Sequence, residues 1–141
     1  MSGPLSDAVV ADLTRAAHLD IIRADVEQAA REIAHAGNPP AGHVWAYDSP
    51  EHGPRATLAL ARNRLVAVTP AADQHSHYGP CTLTSVRTGA ALARGSKAAA
   101  RRACAALAGC SRLVRAVERC EPLAMATMRA RLVAHGLVVL S

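Results

Sequence analysis

Phenylalanine is absent from this chain of 141 residues, and one Trp and two Tyr are its whole aromatic complement. Lysine occurs once, at position 97, against fifteen arginines. Large aliphatics are scarce as well. Leu, Ile and Val number 29, about a fifth of the chain, whereas alanine supplies 32 of the residues that make it 50% hydrophobic. Such a composition sits near the boundary below which a packed core becomes doubtful. It favours a chain that completes its burial against a partner protein or a second copy. No run approaches the roughly 18 apolar residues of a membrane span. Asp7, Asp12, Arg15 and Asp20 interrupt the first twenty residues, so no signal peptide is expected, and a cytoplasmic setting follows. There the four cysteines, Cys81, Cys104, Cys110 and Cys120, would be free thiols. Their spacing holds no CxxC pair, which argues against a zinc ribbon or a thioredoxin-like motif. GxSxG, GxxxxGK, HExxH and EF-hand patterns are missing too. No catalytic residue is therefore assigned, no cofactor is expected, and a binding protein is favoured over an enzyme.

What is present is a lopsided charge. Residues 1–75 hold 6 basic and 9 acidic side chains, a net −3; residues 76–141 hold 10 basic and 2 acidic, a net +8. Between Ser85 and Val117 lie seven cations, Arg87, Arg94, Lys97, Arg101, Arg102, Arg112 and Arg115, with no acid among them. Asymmetry of this kind speaks to anionic partners rather than to fold. If one helix ran from 94 to 115, Arg94, Lys97, Arg101, Arg112 and Arg115 would share a sector of about 60°. That stripe would suit a nucleic-acid backbone. The competing reading is a solvated helix face that keeps an alanine-rich protein in solution.

Patterning predicts a single α+β domain spanning 1–141: an N-terminal helix, a short antiparallel β-meander, and C-terminal helices packed on one face of the sheet. Helical spacing runs through residues 6–36 and stops at Gly37-Asn38-Pro39-Pro40. His43–Tyr47 reads as a strand, residues 57–61 and 64–68 as a hairpin around Arg62-Asn63, and Cys81–Val86 as a further strand. Ser96 can cap a helix to about Leu107, Gly109 interrupts, and Ser111–Arg119 adds a turn or two. Glu121-Pro122 then opens a helix through Ala134 with Gly136 beyond it. Leu137–Leu140 is a closing strand or a docked tail. A helix-turn-helix pairing of Thr88–Ala93 with Ser96–Leu107 is an alternative within the basic region.

Gly95-Ser96-Lys97, followed by Ala100-Arg101 and Ala103-Cys104-Ala105, resembles the last helix of double-stranded RNA-binding domains. In that family the helix N-terminus and its basic residues contact phosphates across the RNA major groove. The resemblance covers about a dozen residues. It implies that Lys97 and Arg101 meet an RNA backbone. One loop offers a different chemistry. His75, His77 and Cys81 carry two imidazoles and a thiol at i, i+2 and i+6, three potential tetrahedral ligands with His52 or Asp73 as a fourth. The readings in order are a nucleic-acid-binding or regulatory protein using Arg94, Lys97, Arg101, Arg102, Arg112 and Arg115, a protein–protein or self-associating module, and a small-molecule or metal site at 75–81.

Overall fold

The computed structural model describes residues 24–47, 50–71 and 80–139. The expected helix over residues 6–23, and His75, His77 and Asp73 of the candidate metal loop, lie outside them. Helix α1 occupies 24–36 and ends at Gly37 as the Gly-Asn-Pro-Pro stop requires. Strands β1 (His43–Tyr47) and β2 (Pro54–Leu58) form an antiparallel pair. A second antiparallel sheet has five strands in the order β3-β4-β5-β6-β7. These are β3 (Ala61–Arg62), β4 (Val66–Pro70), β5 (Cys81–Ser85), β6 (Ala91–Gly95) and β7 (Val138–Val139). Helices α2 (Lys97–Leu107), α3 (Ser111–Glu118) and α4 (Pro122–Ala134) fall between β6 and β7. The class is α+β.

Alternation along the strands divides the sheet into two faces. Val66 and Val68, Cys81 and Leu83, and Ala93 point toward α2 and α4, where Ala99, Ala100, Ala103, Leu107, Met128 and Leu132 complete one buried cluster. Small side chains do on α2 what large ones do elsewhere. Three alanines on its inner face let the helix lie close to the valines, so a core poor in volume still excludes water. The opposite face carries Ala67, Thr69, Thr82 and Thr84, all buried, with Thr69 Oγ1 and Thr84 Oγ1 hydrogen-bonded at 3.1 Å.

Local chemistry sets the joints. Asn63 turns the β3–β4 hairpin by accepting from the N–H groups of Leu65 (2.7 Å) and Val66 (3.0 Å) on Oδ1. Its Nδ2 donates to the Cys104 carbonyl at 2.7 Å, tying that turn to α2. Ser96 Oγ accepts from Ala99 N–H and caps α2. Beyond α4, Gly136 adopts φ +85, and the Leu137 N–H reaches back to the Leu132 carbonyl at 3.1 Å. Both leucines are buried, the hydrophobic contact that accompanies this helix ending.

Two expectations need correction. The hairpin is displaced: Thr57 and Leu58 pair with β1, and β4 pairs instead with Ala61–Arg62 across a turn at 63–65. The helix-turn-helix alternative fails because 86–88 form a turn and Ala91–Gly95 is strand β6, hydrogen-bonded on both sides. Alanine-rich Ala90-Ala91-Leu92-Ala93 has helical propensity, but its position between β5 and β7 overrides it.

Candidate nucleic-acid interface

The six basic residues expected to act together are distributed over three elements. Arg94 lies on β6, Lys97, Arg101 and Arg102 on α2, and Arg112 and Arg115 on α3. The condition for a single stripe, one helix through Gly109, is not met, since α2 ends at Leu107 and α3 begins at Ser111. Arg94 departs furthest. It stands opposite Thr82 and Val138 and beside Ala93, which faces the helices, so its side chain belongs to the far face of the sheet.

The remaining five stay on the helix side. Arg101, Arg102, Arg112 and Arg115 are exposed and Lys97 is half-buried. Arg101 Nη2 donates to the Leu60 carbonyl at 3.4 Å, which leans it over the β3 edge. Lys97 and Arg101 lie close enough to Cys81 for their charges to draw its thiol pKa down, although burial dominates and pushes it up. Burial likewise raises the Cys104 thiol, with Asn63 working the other way. Both thiols are held protonated as small core groups; all four cysteines are free. Cys81 thus faces the helix-side core, and among the described residues no three His, Cys, Asp or Glu side chains gather as a metal site would need.

Both acids of this half are spoken for. Glu118 Oε2 takes Arg87 Nε at 2.6 Å, and its other oxygen accepts from Ser85 Oγ at 3.4 Å. Glu121 Oε1 takes Arg119 Nε at 3.1 Å. Among the described residues no carboxylate is paired with Arg101, Arg102, Arg112 or Arg115, and no acid stands in the first turn of α2, α3 or α4. The N-terminal end of α2 therefore keeps its positive dipole, with Lys97 added to it.

Residue patterning did not single out a cleft at the other side of the sheet. It measures about 370 Å³ and is lined by Ile33 and Ala34 of α1, Asn38 just beyond it, Val44 and Trp45 of β1, Arg62 of β3, and Val86. These positions are far apart in sequence, and only the docking of α1 and β1 brings them together. Between α1 and β1, the nearby Glu32 carboxylate pushes the Tyr47 phenol pKa up to about 12, with burial and the charge of Asp25 adding to the shift. Among the described residues no helix is long and apolar enough to cross a membrane. Comparison with known protein families, curated proteins and solved structures finds no match to this chain.

Proposed function

We propose that the protein binds the phosphate backbone of nucleic acid through the outer surface of α2 and α3. One observation carries the reading. The only two carboxylates of residues 80–139 are engaged by Arg87 and Arg119, which leaves Arg101, Arg102, Arg112 and Arg115 exposed without an acidic partner among the described residues. Exposed guanidiniums on rigid helices can displace the counterions condensed on a duplex. Arg94, on the far face, adds to the field but not to the contact. Four phosphate contacts would give log affinity a slope against log salt of about −3 to −4. Replacing Arg101 and Arg102 together by Ala should reduce that slope by about 2, uniformly across sequences, because phosphate contacts carry no base information. Arg31→Ala, at an exposed position of α1, should leave it unchanged. Equal losses from both variants, or no binding to any duplex or single strand in low salt, would refute the proposal.

A second reading, self-association through α4, has its own observation. Leu123 and Val133 are 81% and 57% exposed. With Ala126 and Ala130 they span a sector of about 80° opposite buried Met128 and Leu132, a smooth apolar strip flanked by Arg129 and Arg131. Sedimentation should then show a dimer that Leu123→Glu converts to monomer. A monomer in the unaltered protein at tens of micromolar dismisses it.

A further inference from the structure

The cleft between α1, β1 and β3 has walls of Ile33, Ala34, Pro39, Val44 and Val86, and its lining includes a single charged residue, the exposed Arg62. Its volume of about 370 Å³ falls in the range that accommodates a small organic molecule. Arg62 has no carboxylate partner among the described residues. Trp45 stands in the same wall, its orientation set by Nε1 donating to the Gly37 carbonyl at 2.8 Å. We propose that this cleft binds a small organic monocarboxylate with a flat apolar body.

The chemistry selects the class. A guanidinium meets a carboxylate through two parallel hydrogen bonds, and one cation balances one negative charge. The apolar walls and the indole favour a ring over a heavily hydrated, multiply charged group such as a polyphosphate. Asn38, beside Gly37, offers an amide that can donate to a carboxylate oxygen. A competing influence comes from the carboxyl end of α1, whose dipole would favour a cation. That influence is weaker, because a dipole end is equivalent to about half a charge, and here the Gly37 carbonyl is already engaged by Trp45. The cleft lies across the sheet from α2, so it stands or falls independently of nucleic-acid binding.

Trp45 is the chain's only tryptophan, so occupancy can be read from its fluorescence without a label. The probes are benzoate, neutral benzamide and cationic benzylamine. Benzoate should change Trp45 emission saturably, and benzamide should bind about tenfold or more weakly, since it lacks the charge-assisted pair. Arg62→Met should lower benzoate affinity by a similar factor while keeping the far-ultraviolet circular dichroism of the unaltered protein. Should that variant fail to fold, the benzoate–benzamide comparison on the unaltered chain still decides. Benzamide or benzylamine acting as strongly as benzoate, a folded Arg62→Met that retains affinity, or no saturable change into the millimolar range overturns the proposal.

Discussion

At the scale of single residues, partners rather than residue types decide behaviour. Tyr47 is an ordinary phenol made reluctant to ionise by the carboxylate beside it. Because the folded chain keeps that proton while an unfolded tyrosine would lose it near 10, its contribution to stability is complete below about 10. It is lost as pH rises through about 12. Alkaline difference spectroscopy should find one phenolate forming near pH 12, and Glu32→Gln should bring that midpoint down toward 10. An unmoved midpoint would remove Glu32 as the cause. Neither the pairing nor the shift could be read from the sequence, since the two residues lie fifteen positions apart on different elements. Asn63 was readable in part. Its place in the turn follows from its type and flanking strands, but its hydrogen bond to Cys104, forty-one positions away, needs the packed helix.

Among the elements, those defined by their own punctuation were legible: α2 from Ser96, α4 from Glu121-Pro122 and Gly136, β1 from its apolar pattern. Strand β6 was not. Its residues are alanine, leucine, arginine and glycine, and they are extended because β5 and β7 supply hydrogen-bonding edges on either side. The single basic stripe failed on two counts: Arg94 belongs to β6, and α2 ends at Leu107, before Gly109. A second joint that composition conceals lies at Gly89, where φ is +69 and an added Cβ would come within 2.7 Å of the Tyr47 backbone nitrogen and 2.9 Å of Ile33. The Tyr47 N–H donates to the Gly89 carbonyl there at 2.9 Å, docking β1 against the turn between β5 and β6. Gly89→Ala should therefore separate β1 and α1 from the sheet. The expected signs are a lower melting temperature and red-shifted Trp45 emission; unchanged emission at full stability would contradict the docking.

Across the whole molecule, the sheet separates two chemistries: exposed arginines over α2 and α3, and a partly apolar cleft with its own guanidinium behind. Charge asymmetry in the sequence announced the first. The second had no signal because its lining comes from four segments that pattern alone cannot juxtapose. The five-stranded sheet has a further consequence, for the order of assembly. Strands β3 to β6 neighbour one another in chain order, whereas β7 reaches β6 only after three helices, with Val139 opposite Ala93. Closing so long a loop costs entropy before any contact offsets it, so β7 should join after the transition state. Val139→Ala is then expected to accelerate unfolding and leave the refolding rate nearly unchanged in stopped-flow experiments. Comparable changes in both rates would place β7 in the nucleus. Until β7 arrives, the edge of β6 stands open along Ala91–Gly95, and at high concentration the β7 of a neighbouring chain competes for it. Refolding yield should therefore fall with concentration even where the native protein is stable.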